Sequence, residues 1–271
     1  MAKIFGWRWF WKATLFLLLL FVLANALFYI FSDQVIFQST KLDKGYQFDF
    51  KQPYKEYFIT TPDSTSINAI RFSPPKTSKG LVFYLHGNAD DLSRWGNYAV
   101  DFTRLGYDVV MFDYRGYGKS THTPDHDHLA QDALFLYKWF TARFAFPKVI
   151  VYGRSLGAAL ASELASQTSP DLLILETPFA EFEDVVYWPL HPTLYWLPHD
   201  EGFSNVAFLP KVKCRKIIFH GTDDWVVPLS SAQKLAPLLD HPEDFVFIEG
   251  GGHKNLREFE LYHTKLAEIL N

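Results

Sequence analysis

The chain of 271 residues has one cysteine, Cys214, so no disulfide can close within it and no zinc site of paired cysteines can form. It also lacks cationic excess. The formal net charge of -4 leaves no basic surface of the kind a phosphate backbone demands, which excludes nucleic acid as an expected partner. Fixed-period repeats and low-complexity blocks are absent too, so beyond the first residues the chain reads as one domain. What is abundant is apolar surface, 48% of residues, ample for a packed core.

One stretch lacks charge altogether. Residues 13–31, ATLFLLLLFVLANALFYIF, run 19 residues without a charged side chain. As a helix they span about 28 Å, close to the hydrocarbon thickness of a bilayer. Trp7, Trp9 and Trp11 precede the run and Tyr29 lies near its end, where amphipathic rings favour the interface. Lys3, Arg8 and Lys12 would hold the leading end in the cytoplasm, which puts the rest of the chain on the other side; Lys41 and Lys44 nearly balance that count. The expectation is an N-terminal membrane anchor over residues 1–32 and a folded domain over 33–271. The alternative is a signal peptide cleaved at Ala24–Ala26, although the apolar run continues past that site.

The body opens with a predicted strand pair, YKEYFITT and INAIRFSP, joined over PDSTS. Short apolar strands then alternate with helical segments. Strands are predicted near 81–85, 108–112, 149–152, 172–175, 216–219 and 245–248, and helices near 92–105, 129–144, 156–166, 230–239 and 256–270. Near-continuous apolar strands suit a mostly parallel sheet covered by helices on both faces, an α/β fold. Residues 178–210 break the alternation, with five prolines and eight aromatic residues, and read as a small inserted cap or as a surface insertion packing its rings on the body.

The segment VIVYGRSLGAALA sets Ser155 between Gly153 and Gly157 at a strand-to-helix turn. Such a turn is sharp enough that side chains two places either side would collide. It lifts the hydroxyl clear of the backbone and points the opening N–H groups of the helix, that of Leu156 first, at charge forming beside it. A serine hydroxyl needs a base, and the base an orienting carboxylate. KIIFHGTDDWVVP delivers Asp223 and Asp224 after one strand, and FVFIEGGGHKNL delivers His253 after another, all at the carboxyl edge where open α/β sheets bind ligands. The order Ser155, acid, His253 is that of α/β-hydrolases.

From about Tyr57 to Leu270 the chain resembles the α/β-hydrolase superfamily, in particular its membrane-anchored abhydrolase-domain serine hydrolases. The matching motifs are HGNAD at 86–90, FDYRGYGKS at 112–120, GRSLG at 153–157, ETPFAEFEDV at 176–185 and HGTDDWVVP at 220–228. The resemblance implies Ser155 as nucleophile, His253 as base and Asp224 as orienting acid, with Asp223 as the alternative acid. It places the backbone N–H groups of Asn88 and Leu156 in the oxyanion hole, and calls for no metal and no cofactor.

The remaining histidines have plainer readings. His122, His126 and His128 around Asp127 suit a solvated loop leading into a helix, the alternative being a metal site. His86 and His220 end strands and are expected to brace loops, His263 to lie on a helix surface, and Cys214 to act as a small apolar group. The expected reaction is hydrolysis of acyl esters or thioesters of lipid or acylated substrates. Five acids in the insertion (Glu181, Glu183, Asp184, Asp200, Glu201), with no Lys or Arg up to Pro210, favour neutral esters. The alternatives are a serine peptidase of the aminopeptidase type and a binding protein that keeps the fold without the chemistry.

Overall fold

The computed structural model describes residues 2–185 and 203–271, and the chain divides into two compact units. The first is helix α1 (Ala2–Ile36), which is long and apolar enough over Trp7–Leu27 to cross a membrane, with a mean hydropathy of 2.0. Trp7, Trp9, Trp11 and the leucine run from Leu15 to Leu20 stand exposed. The helix is uninterrupted through Ala24–Ala26 and ends four residues beyond the boundary expected at Ser32.

The second unit is built on an eight-stranded sheet: β1 (Tyr54–Thr60), β2 (Ser66–Phe72), β3 (Leu81–Leu85), β4 (Asp108–Phe112), β5 (Val149–Arg154), β6 (Leu172–Glu176), β7 (Arg215–Gly221) and β8 (Phe245–Ile248). Their spatial order is β1-β2-β4-β3-β5-β6-β7-β8. β2 runs antiparallel to both its neighbours, and every other pairing is parallel. All residues of β3, β4 and β6 are buried, which is why these strands read as unbroken apolar runs rather than as alternation. On one face Val82, Tyr84, Ile150, Tyr152, Ile174 and Phe219 form a continuous core.

The helices follow the expected order with three corrections. The stretch 92–105 is not one helix: it divides into α2 (Leu92–Trp95), a 3₁₀ turn (Gly96–Ala99) and α3 (Val100–Thr103). At Gly96 a Cβ would stand 2.3 Å from the Phe50 ring, which would have to shift to admit a side chain there. α4 (His126–Arg143) is capped by the Asp125 carboxylate, which accepts from the His128 N–H, and α5 (Leu156–Gln167) follows Ser155 directly. The stretch 230–239 gives α7 (Leu229–Gln233) and a separate 3₁₀ turn at Pro237, since proline has no N–H to continue the ladder. The third correction is at 256–270, where a 3₁₀ turn precedes α8 (Glu260–Leu270), separated by the extended Phe259.

Most of the insertion, with Tyr187, Trp188, Tyr195, Trp196, Asp200 and Glu201, lies outside the described residues. Its two flanks are pinned together. Glu181 bridges to Ser204, the Asn205 side chain at the start of α6 (Asn205–Phe208) donates to the Phe179 carbonyl, and Ser162 of α5 donates to the Asn205 side-chain oxygen at 2.5 Å.

Candidate active site

Ser155 sits where β5 passes into α5, at φ 54° and ψ -117°, a left-handed conformation costly for a residue with a Cβ. Its own N–H donates to the Glu176 carbonyl at 2.9 Å. The flanking glycines make the turn possible. A Cβ on Gly153 would lie 2.3 Å from the Gly157 carbonyl oxygen, and one on Gly157 would lie 2.2 Å from the Leu85 carbonyl oxygen. The second contact matters for chemistry as well as for space: it presses the first turn of α5, with the Leu156 N–H, against the end of β3, from which His86, Gly87 and Asn88 lead away.

The acid and histidine loops are brought together in the same manner. A Cβ on Gly221, at the end of β7, would lie 2.1 Å from the Gly251 carbonyl oxygen, and the Asp223 N–H donates to that oxygen at 2.8 Å. The result is a hydrogen-bonded line. Ser155 Oγ donates to His253 Nε2 at 3.0 Å, and His253 Nδ1 donates to Asp224 Oδ2 at 2.8 Å, the tautomer that an ionised Asp224 selects. The other Asp224 oxygen accepts the N–H groups of Val226 and Val227, at 2.9 and 2.8 Å. Burial would raise the Asp224 carboxyl; the His253 hydrogen bond and charge, with the two amides, outweigh it and hold the group below the usual carboxylate range. Asp223 is exposed and its carboxylate meets only the Thr222 hydroxyl among the described residues, so of the two candidate acids the structure brings Asp224 to the histidine.

Asn88 stands at the mouth of β3, and its side-chain Oδ1 accepts from the Tyr117 hydroxyl at 2.8 Å. The loop is rooted by His86, which is wholly buried, lies 4.2 Å centroid to centroid from Tyr114, and contacts the Gly87 carbonyl through Nδ1 at 2.7 Å. Burial pushes its imidazole down to about 4, so it is neutral in the folded protein. His220 braces the acid loop through Nε2 to the Val227 carbonyl at 3.1 Å, and burial lowers its pKa as well.

Sequence reasoning missed the charged pair behind this line. Arg154 and Glu176 are register partners at the ends of β5 and β6, both 2% exposed, with Arg154 Nε 3.4 Å from Glu176 Oε1. Arg154 also donates through Nη2 to the His253 carbonyl at 2.8 Å and lies over the rings of Trp95 and Tyr98. Burial would lower its pKa; the Glu176 charge outweighs this and raises it. Glu176 in turn accepts from the Tyr152 hydroxyl, which meets the Tyr262 hydroxyl at 3.0 Å. One guanidinium therefore ties the serine turn, the histidine loop and the helical turn after the Asn88 loop. The available signal was the ending of two adjacent apolar strands in opposite charges.

His122, His126, His128 and His263 are engaged elsewhere. His126 meets Glu163 and Asp127, His128 pairs with Asp125, and His122 contacts the Thr121 hydroxyl. His263 is half-buried rather than a free surface group, set against Arg104 and the Arg257 carbonyl. Cys214 is partly buried, and burial raises its thiol.

Residues 76–199 match the family described as serine aminopeptidase, S33. The chain is 34% identical over 185 residues to the lysophosphatidylserine lipase ABHD12 of Danio rerio, covering 60% of this chain and 48% of that protein, so it spans about half the length of such relatives. An uncharacterized protein of Mycobacterium tuberculosis (strain CDC 1551 / Oshkosh), MT2364, is 30% identical over 212 residues, covering 74% of this chain and 73% of that one. In fold, the chain is similar to the Pyrococcus furiosus esterase Pf2001, with a TM-score of 0.67 at 20% identity over 86% of this chain and 98% of that one. Likeness in sequence to the serine aminopeptidase, S33 family and to the ABHD12 lipases, on a sheet of this topology, leaves one assignment: the chain belongs to the abhydrolase-domain serine hydrolases of the α/β-hydrolase superfamily.

Proposed function

We propose that the protein is a membrane-anchored serine hydrolase that cleaves acyl esters or thioesters of lipid or acylated substrates through an acyl-enzyme on Ser155. The observation that carries this reading is the continuous line from Ser155 Oγ through His253 to Asp224, with heavy-atom distances of 3.0 and 2.8 Å. In it Ser155 Oγ attacks the acyl carbonyl as its proton passes to His253 Nε2. Asp224 stabilises the imidazolium so formed, and the same proton then goes to the leaving alcohol or thiol. The N–H groups of Leu156 and Asn88 receive the oxyanion, a contribution of about 3 kcal/mol for each such donor. Water, activated by His253, releases the acid and restores the serine.

The relatives named lysophosphatidylserine lipases support a lipid ester as substrate, and α1 supports anchoring of residues 1–32 in the bilayer. Lys3, Arg8 and Lys12 ahead of the apolar run favour a domain, residues 33–271, on the non-cytoplasmic side. The match to a serine aminopeptidase family favours a second reading, cleavage of a peptide with a free amine. Asp184, one of the acids that would meet that amine, is bound to Ser231 and Lys234, which weighs against it.

The test is to incubate wild type and Ser155→Ala with a fluorophosphonate probe, and then with a neutral monoacylglycerol, lysophosphatidylserine and an aminoacyl-arylamide in parallel. Labelling and lipid turnover by wild type alone are expected. Turnover that survives in Ser155→Ala contradicts the reading, and turnover of the arylamide alone replaces it with the peptidase.

A further inference from the structure

The first five residues of the body after α1 and Phe37, residues 38–42, reach the loop carrying Asn88 and the loop carrying Gly118. The Gln38 carbonyl accepts the Asp90 N–H at 3.2 Å, and the Gln38 N–H points at Asn88 Oδ1 at 3.4 Å. Two places on, the Thr40 carbonyl accepts the Gly118 N–H at 2.7 Å, and the Leu42 N–H donates to the Gly118 carbonyl at 3.0 Å. Residues 38–42 thus form a short strap, bridged in parallel to Asp90 through Ser39 and to Gly118 through Lys41. The side chains of Gln38, Thr40 and Lys41 are exposed, so the strap's contacts are mainly those of its backbone.

Both loops it touches need holding. Asp90 has φ 68° and Gly118 has φ 45°, and the first of these is a strained conformation for a residue with a Cβ. The loop after β3 has no ladder of its own at Asn88, whose side chain is set by Tyr117 from the Gly118 loop and by Gln38 from the strap. A backbone donor to an oxyanion works only if it is aimed before the reaction starts, and displacement by a fraction of an ångström forfeits its contribution.

We propose that residues 38–42 are a positioning element of the oxyanion loop, so that the stretch of chain leaving the anchor also aims the Asn88 N–H. α1 ends at Ile36, so anchorage and oxyanion donor are joined by one short piece of backbone. Gln38 and Tyr117 are its positioning residues and touch no reacting atom. The inference rests on the acyl-transfer reading of the site.

The test uses the full chain in detergent, with p-nitrophenyl butyrate as substrate and a trifluoromethyl ketone as an inhibitor that forms a tetrahedral oxyanion. Gln38→Pro removes the N–H aimed at Asn88, whereas Gln38→Ala keeps it. Tyr117→Phe removes the other partner of the same oxygen without touching the backbone. Gln38→Pro and Tyr117→Phe should each lower kcat and weaken ketone binding by the same factor, about fivefold to fiftyfold, with KM nearly unchanged. Their combination should be non-additive, and Gln38→Ala should behave as wild type. The inference is overturned if both variants keep wild-type kcat and ketone affinity, or if kcat falls only in step with the folded fraction read from Tm. A wild type with no ester turnover removes the acyl-transfer reading first; an active wild type with indifferent variants removes this inference alone.

Discussion

The serine turn and the Asn88 loop leave the ends of neighbouring parallel strands, β5 and β3, yet they are held by different means. The turn is held by exclusion: Gly153 and Gly157 admit the backbone of α5 and of β3 so closely that no side chain fits. The loop is held by polar attachment, through Tyr117, the strap and the buried His86. A region fixed by sterics fails by unfolding when it is altered. A region fixed by hydrogen bonds can lose its aim while the fold survives, and this is where tuning of activity is expected.

The largest effect should come at the turn. Gly157→Val drives a branched side chain into the Leu85 and His86 carbonyls and is expected to give no soluble folded protein, checked by circular dichroism and by thermal melts. A folded, active Gly157→Val protein breaks the comparison. Next is Arg154→Met, which leaves Glu176 buried without its partner. A loss of about 3–5 kcal/mol in stability is expected, read from urea unfolding. Adding Glu176→Met should restore much of that stability without restoring kcat, because the Arg154 hydrogen bond to the His253 carbonyl stays absent.

The root of the Asn88 loop predicts a pH effect. His86 is depressed to about 4 in the folded protein against 6.5 for the free imidazole, so folding is favoured above 6.5 and that share is lost as pH falls towards 4. The loss amounts to roughly 3 kcal/mol between pH 7 and pH 4. His86→Phe, which cannot titrate, should show a flatter stability profile over that window. The smallest effect is expected at Asp223, where Asp223→Asn should leave kcat within twofold of wild type; its neighbour supplies the contrast, since Asp224→Asn, by imposing the wrong imidazole tautomer, should cut kcat by orders of magnitude.

Much of this architecture was legible before any coordinates. Strands buried on both faces announce themselves as apolar runs, so β3 to β8 stood close to where they were expected. The elbow announced itself because its constraint is local, two glycines and a serine in five residues. What was hidden depends on distant partners. Nothing in GRSLG says that Arg154 faces Glu176, because that follows from the register of β5 on β6. The strap was hidden too, since Gln38, Thr40 and Lys41 are exposed polar residues without periodicity, and their bonds come from the backbone. The division of the helix expected over 92–105 was not legible either: its periodicity is sound, and apolar spacing does not reveal that Gly96–Ala99 tightens into a 3₁₀ turn between α2 and α3.

The central claim is that Ser155 carries the acyl group, and the most direct measurement is its capture. Protein mixed rapidly with p-nitrophenyl butyrate and quenched in acid should gain the mass of one butyryl group, on the peptide containing Ser155. The adduct should be absent from Ser155→Ala, and in Asp224→Asn it should form far more slowly. Butyrylation at any other residue, or turnover of the ester with unmodified Ser155 throughout, would contradict the account.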